Sequence, residues 1–311
     1  MDRLAAGISF LDLSFLGYPR IIASAVLHGA GVAVVDPGPS STLPVLGREL
    51  ETAGLSLADV DTVLLTHIHL DHAGATGTIV HRNPRVRVYV HASGAPHMVS
   101  PEKLIASATR LYGDDMDRLW GEIRPVPREA ITPLEGGEEI MGGGRPLRVA
   151  YTPGHASHHV SYFNDEAGIA FVGDIAGVRL VPNGYLMPPT PPPDLDVEKW
   201  RESLRRIGAW DPGTLFMTHF GPHGSSRSHL SDLDDRLGHM VHLARRSLER
   251  DEDDEAREAW FSEEIRREIR RQVDESEIRL YETAGRFDLN WRGLARYVRR
   301  RGEAEALFTK P

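Results

Sequence analysis

The apolar residues of this chain fall into short blocks separated by turn-forming residues, and the blocks set a strand and helix rhythm. Ile21–Leu27 and Gly31–Asp36 are β-rich runs divided by His28-Gly29-Ala30, the pattern of a hairpin, and Asp36-Pro37-Gly38-Pro39 ends the second run sharply. A helical spacing follows from Leu43 to Ala53 and closes at Gly54, and Ser56-Leu57-Ala58-Asp59 reads as a capped turn. Strand, helix and strand then recur over Val63–Thr66, His72–His81 and Val86–Val90, a βαβ unit. From Ser93 to Arg124 the pattern is helical, with Leu104, Ala108, Leu111, Met116 and Leu119-Trp120 on inner faces, and the segment is longer than a connection requires.

Strands resume at Leu147–Tyr151, His159–Phe163 and Gly168–Val172. Between Val181 and Asp194 the proline-rich stretch Met187-Pro188-Pro189-Thr190-Pro191-Pro192-Pro193 is too stiff for a helix or a central strand and suits a cover laid over a surface. A helix over Val197–Ile207 and a strand over Thr214–Thr218 complete this part. Beyond Ser231 charge increases. Arg250–Glu258 reads as a solvated face, Ile265, Ile269, Val273, Ile278 and Leu280-Tyr281 mark amphipathic helices, and Leu289, Trp291, Leu294, Tyr297 and Val298 mark a last one. The expected organisation is an α/β body over residues 1–230, with inserted helices at 93–124 and a lid at 181–194, followed by a helical extension at 231–311. No repeat of fixed period is present.

Composition narrows the classes. The 311 residues are 41% hydrophobic and include five tryptophans, enough for a sizeable core. A net charge of −9 argues against binding nucleic acid by bulk electrostatics. No run of 18 apolar residues exists and Met1–Ala6 lacks the basic, then apolar, pattern of a secretion signal, so a cytoplasmic location without membrane attachment is expected. With no cysteine, disulfides, thiolate catalysis and thiolate zinc sites are excluded. Lys103, Lys199 and Lys310 are the lysines of an arginine-rich chain, a bias read as genomic.

The densest chemistry is Thr66-His67-Ile68-His69-Leu70-Asp71-His72-Ala73-Gly74, directly after the apolar Val63-Leu64-Leu65. A strand that empties into three imidazoles and a carboxylate has no packing logic, unlike the isolated His28, His81, His97, His239 and His242, which read as ordinary core or surface residues. His67 and His69, two apart on extended chain, project to one side and can share an ion, while Asp71 and His72 follow where the chain turns and can face a second. Two such ions can hold a bridging hydroxide. Other strand ends offer partners: His155 after Tyr151-Thr152-Pro153-Gly154 for the first ion, Asp174 after Phe171-Val172-Gly173 as a carboxylate between the two, and His219 after Leu215–Thr218 for the second.

Taken in order, Asp36-Pro37-Gly38, the Thr66–Gly74 motif, Pro153-Gly154-His155, Gly173-Asp174 and Thr218-His219 resemble the metallo-β-lactamase-fold hydrolases over residues 20 to 225. The resemblance implies a four-layer αβ/βα sandwich with a metal site along one edge of two facing sheets. It implies that His67, His69 and His155 bind one metal, that Asp71, His72 and His219 bind the other, that Asp174 bridges them, and that Asp71 and Asp174 take part in catalysis. His69 lies where the flavodiiron branch carries glutamate. With Asp71 and a full histidine set, the site is similar to that of glyoxalase II, lactonases and ribonuclease Z. His158 stands where relatives commonly have glycine, His159 falls on a frequent supporting histidine, and Thr218–Gly224 does not match the glutathione-handling segment of glyoxalase II. The arm with which ribonuclease Z holds transfer RNA is not recognisable.

These features lead to the expectation of a hydrolase with two divalent transition-metal ions, zinc foremost and iron or manganese compatible with the same donors. The expected partner is a small carboxylic ester, lactone or thioester, with a phosphodiester or an iron-dependent oxidation as alternatives; nucleic acid is not expected, and a homo-oligomer is compatible with the chain. Tyr112, Arg179, Tyr185 and His223 are the candidate substrate contacts. Leu111, Met116, Leu186 and Met187 are expected to form an apolar cover over the metals.

Overall fold

The computed structural model describes residues 1–308, with side chains as far as Gly302; the remainder of the helical extension, to residue 311, lies outside the described residues. Among the described residues, thirteen strands form two sheets. The first contains β1 (Asp2–Ala5), β2 (Ile8–Asp12), β3 (Ala23–His28), β4 (Val32–Val35), β5 (Val60–Leu64), β6 (Arg87–His91) and β7 (Ile131–Leu134) in sequential order. The second contains β8 (Glu139–Gly142), β9 (Arg145–Tyr151), β10 (Val160–Asn164), β11 (Ile169–Phe171), β12 (Thr214–Met217) and β13 (Gly221–His223), again in chain order across the sheet. The helices are α1 (Leu43–Thr52), α2 (Leu70–Ala73), α3 (Thr76–Arg82), α4 (Ala95–Val99), α5 (Glu102–Tyr112), α6 (Met116–Trp120), α7 (Val197–Gly208), α8 (Ser226–Leu248), α9 (Asp254–Arg270), α10 (Glu275–Gly285) and α11 (Phe287–Phe308).

Side-chain alternation explains the layering. Successive residues of a strand face opposite sides, so a strand apolar at every position must be covered twice. In β3, β4 and β5, Ala25, Leu27, Ala33, Val35 and Leu64 meet Val149, Tyr162, Phe171 and Phe216 of the other sheet. Their neighbours Val26, Val34 and Val63 belong instead to the core shared with Leu46, Leu50 and Ile79 of α1 and α3. On the second sheet Phe163, Leu215 and Met217 turn outward into the core that contains Trp200, Leu204 and Ile207 of α7. The result is the expected αββα sandwich, with a helical C-terminal region packed on it.

Strand direction determines where the functional residues gather. β4, β5, β6 and β7 are mutually parallel. In the other sheet β10 is antiparallel to both β9 and β11, and β11 is parallel to β12, so β9, β11 and β12 run the same way. The segments following β4, β5, β9, β11 and β12 carry the chemistry-bearing side chains, and they meet along one edge of the sandwich.

Several elements are absent from the hydropathy pattern. β1, β7, β8 and β13 are short and at or near sheet edges, with mixed exposure, so they carry no clean alternation. The expected helix over His72–His81 is divided into α2 and α3, because Gly38 accepts from Ala75 N (2.9 Å) and donates to His72 O (3.0 Å) across the break. The inserted helical segment resolves into α4, α5 and α6. No described helix is long and apolar enough to cross a membrane.

The C-terminal helices are built into the core. Leu233, Leu237, Met240, Phe261, Ile265, Ile269 and Leu294 are buried in it, and the Tyr281 hydroxyl donates to Tyr185 O (2.7 Å) while accepting from Leu180 N (3.3 Å). Asn290 ties α11 to the proline-rich stretch: its Oδ1 accepts from Thr190 N at 2.7 Å, and both residues are buried. Replacing Asn290 by alanine would leave that amide without a partner, at a cost of about 1–3 kcal/mol. A lowered urea midpoint with an unchanged m-value is the expected result of equilibrium unfolding.

Candidate metal centre

The site is assembled around a carboxylate that is not itself among the clustered candidate ligands. Asp36 ends β4 with a left-handed backbone (φ 48°) and is almost fully buried. Its Oδ1 accepts from Thr66 N (2.8 Å), and its Oδ2 accepts from Thr66 Oγ1 (2.7 Å) and Thr218 Oγ1 (2.8 Å). It also lies 2.8 Å from His72 Nδ1. One side chain therefore joins the ends of β4, β5 and β12. With Nδ1–H directed to Asp36, His72 presents Nε2 to the centre.

The other imidazoles are oriented by the same device. His155 Nδ1 lies 2.8 Å from Pro189 O, and His219 Nδ1 lies 2.6 Å from Ile21 O, leaving Nε2 of each facing inward. His67 Nδ1 is 3.1 Å from Thr66 Oγ1. Close backbone approaches set two of the strand ends. A Cβ on Gly154 (φ 144°) would fall 2.4 Å from Trp200 Cα, and one on Gly173 (φ 46°) would fall 2.4 Å from Thr66 Oγ1, so both turns before His155 and Asp174 require glycine.

Seven side chains converge as three groups: His67, His69 and His155; His67, His72 and Asp174; and Asp71, His72 and His219, with the ligand atoms in each within 4.8 Å of one another. His69 Nδ1 and His155 Nε2 face each other at 3.0 Å. Asp174 lies between the groups, with Oδ2 3.4 Å from His155 Nε2, and Oδ1 3.2 Å from His72 Nε2 and 3.5 Å from His219 Nε2. Asp71 Oδ2 is 3.4 Å from His219 Nε2. Buried polar atoms ordinarily have partners, yet His67 Nε2, His72 Nε2 and Asp174 Oδ1 are buried here without a hydrogen bond. Inward-facing lone pairs and carboxylates with unmet demand suit divalent cations.

The electrostatics agree. Burial, followed by the neighbouring imidazoles, holds His67 well below the ordinary histidine range. Burial brings His69 and His155 down to about 4, so these three favour the neutral form that binds metal. Burial also pushes the Asp174 and Asp71 carboxyls up, but histidines outweigh it: His72, His219 and His155 hold Asp174 well down, and His72 and His219 bring Asp71 to about 2. His72 and His219 are pushed the other way. Burial disfavours their charge, but Asp174 and Asp71 overcome it, with Asp36 adding to the effect at His72. A divalent cation placed among those carboxylates would replace the protons they attract.

His159 and His158 have separate surroundings. His159 is buried with Nδ1 2.9 Å from Thr152 Oγ1, and its ring stacks on His67 at 5.1 Å between centroids. Ile68 N donates to His158 Nδ1 at 3.4 Å, and His158 lines the cavity over the site beside His69.

That cavity, of about 590 Å³, runs from His69, Asp71, His155 and Asp174 between α5 and the segment of Pro189 to Asp194, with Gly285, Arg286 and Leu289 on a further wall. A smaller one, about 240 Å³, reaches Asp71 and His219 from the other side of Tyr112 and Trp120. Of the candidate substrate contacts, Tyr112 lies at both cavities. The others do not reach the site. Tyr185 is fully buried and donates to Glu268 (2.9 Å), because its segment folds under α8 and α9. Arg179 and His223 pair at 3.0 Å beside a separate polar cavity with Asp232 and Arg236. The expected cover also changes: Leu111 lines the cavity, but Leu186 and Met187 are buried elsewhere, Met187 being paired with Val178 and packed against Gly285. Met116 packs against the core and does not line the main cavity. Pro189 and Pro191–Pro193 take the place of Leu186 and Met187.

Comparison with known proteins agrees with this architecture. The model of the metallo-beta-lactamase superfamily matches residues 17–219, and the chain belongs to that superfamily of hydrolases. It is 31% identical over 220 residues to a metallo-beta-lactamase fold-containing protein of Sulfurisphaera tokodaii, covering 69% of this chain and 78% of that protein. It is also 31% identical over 145 residues to a hydroxyacylglutathione hydrolase of a Synechococcus species, a match spanning 47% of this chain and 44% of the relative. A metallo-beta-lactamase family protein from Thermus thermophilus superposes with a TM-score of 0.72 at 24% identity, covering 96% and 95% of the two chains, and shares the fold.

Asp36 was legible in the sequence only as a landmark; its role in orienting His72 depends on contacts 30 to 182 residues distant. Replacing it by alanine is expected to weaken metal affinity by about 10–100-fold. Competition with a chromophoric chelator measures this directly.

Proposed function

We propose that the protein is a binuclear metal-dependent hydrolase of small carboxylic esters, lactones or thioesters. The observation that carries this reading is the position of Asp174, one carboxylate oxygen turned to His155 and the other to His72 and His219. His67, His69 and His155 would hold one ion and Asp71, His72 and His219 the other, with Asp174 shared. When bound, a pair of divalent transition-metal ions would supply a water acidified to near neutrality and a Lewis acid for the substrate oxygen. Zinc is the leading candidate, and iron or manganese suits the same donors.

The protein's own part is orientation and exclusion of water. Asp36, Pro189 O and Ile21 O fix the imidazole rings of His72, His155 and His219. His69, Asp71, His155 and Asp174 line the inner end of the main cavity, where a substrate carbonyl would lie. Its walls of Leu104, Ala108, Leu111, Pro191 and Leu289 provide apolar surface for an acyl or aryl group. The hydroxyacylglutathione hydrolases among its relatives support thioesters within this class.

Asp174→Ala is expected to cut ester turnover by orders of magnitude and to reduce bound metal, read by a screen of aryl esters, lactones, thioesters and bis-aryl phosphodiesters and by elemental analysis. Full metal occupancy with unchanged turnover in that variant would refute the assignment. Turnover confined to phosphodiesters, or oxygen consumption with one redox-active iron per chain, would replace the proposed reaction.

A further inference from the structure

The main cavity has a charged wall that its metal-facing side does not explain. On α5, Leu104, Ala108 and Leu111 line it at helical spacing, and Lys103, Ser107 and Arg110 line it one position earlier in each case. An apolar stripe and a cationic stripe thus lie side by side. Both cations of this helix face the cavity, whereas its acidic residue, Glu102, is absent from the lining. At 1.5 Å rise per residue, Lys103 and Arg110 are separated by about 10 Å along the axis.

These two cations are available. Both are exposed, and among the described residues neither forms an ion pair, whereas nearby Arg118 is held by Asp115 and Arg286 by Asp288. Arg286 lies on the lining as a third positive charge, its guanidinium 5.5 Å from the ring centre of Tyr112. Apart from Asp71 and Asp174 of the ligand cluster, the lining contains one carboxylate, Asp194, which accepts from the Ser157 hydroxyl at 2.5 Å. A chain of net charge −9 repels anions at long range, and this wall has the opposite sign, which focuses an anionic ligand into the cleft.

We propose that Lys103 and Arg110 form an anion-recognition wall, and that the substrate is an ester or thioester bearing a carboxylate or phosphate group remote from the scissile carbonyl. The apolar segment between the two groups would lie on Leu104, Ala108, Leu111 and Pro191–Pro193. This inference rests on the hydrolase reading above.

The test compares the metal-loaded protein on three 4-nitrophenyl esters of matched acyl length: a neutral acyl ester, a hemiester ending in carboxylate and one ending in phosphate. At low salt, kcat/KM for an anionic ester is expected to exceed that for the neutral ester by about tenfold or more. The ratio should fall towards one in K103Q/R110Q and in high salt, and should recover in K103R/R110K. The better of the two anionic esters identifies the terminal group. A neutral ester preferred by the wild type, or a ratio unaltered in K103Q/R110Q, would overturn the proposal. If none of the esters is cleaved by metal-loaded protein, the ester part of the proposed function fails, and calorimetry with N-phenylglutaramate decides the wall separately. Binding weakened at least tenfold in K103Q/R110Q upholds it; no binding, or equal binding, overturns it.

Discussion

The carboxylate of Asp36 is the interaction on which the functional edge of the sandwich depends. It is buried at the junction of the two sheets, where it accepts from Thr66 of one and Thr218 of the other while holding His72 by its Nδ1. A buried acceptor of this kind is costly unless each lone pair is used. Satisfying it demands that the strand ends arrive together, and their arrival brings His67, His72 and His219 to a common point. The same requirement links fold stability and site geometry: neither sheet alone contains the full set of donors.

The surrounding architecture makes this convergence possible. Parallel runs of β4 and β5, and of β9, β11 and β12 in the other sheet, direct five connecting segments to one edge. Alternate burial locks each strand in register, because a slip of one residue would turn Val35 or Phe171 away from the inter-sheet core. The closed packing of Gly154 on Trp200 and of Gly173 on Thr66 then leaves the following His155 and Asp174 little freedom. Preorganisation of this sort keeps the imidazole lone pairs directed inward despite their mutual crowding.

The cavity above the centre is made by three separate parts of the chain. The inserted helices supply Leu104, Leu111 and Tyr112, the proline-rich stretch supplies Pro189 and Pro191–Pro193, and the junction of α10 with α11 supplies Arg286 and Leu289. Asn290 clamps the second and third of these together. The C-terminal helices thus contribute to both the core and the walls around the centre, although they provide none of the clustered imidazoles or carboxylates.

Much of this was determined locally and could be read in the sequence. Continuous apolar runs such as Val63–Leu65 need cover on both faces, so strands layered with helices follow from short-range pattern, whereas the four-layer sandwich was legible only through the resemblance that the motifs carry. The density of imidazole and carboxylate after four strand ends likewise marks a metal-binding cluster without knowledge of their contacts. What only the tertiary structure decided involves residues whose neighbours are far away in the chain. Asp36 acquires its purpose from Thr218, and Tyr185 loses its candidacy to Glu268. Met187 is drawn into the core beside Gly285, leaving prolines on the cavity wall. Hydropathy records that a side chain will be buried, but not which surface buries it, and the facing of Lys103 and Arg110 into the cavity depends on that second fact.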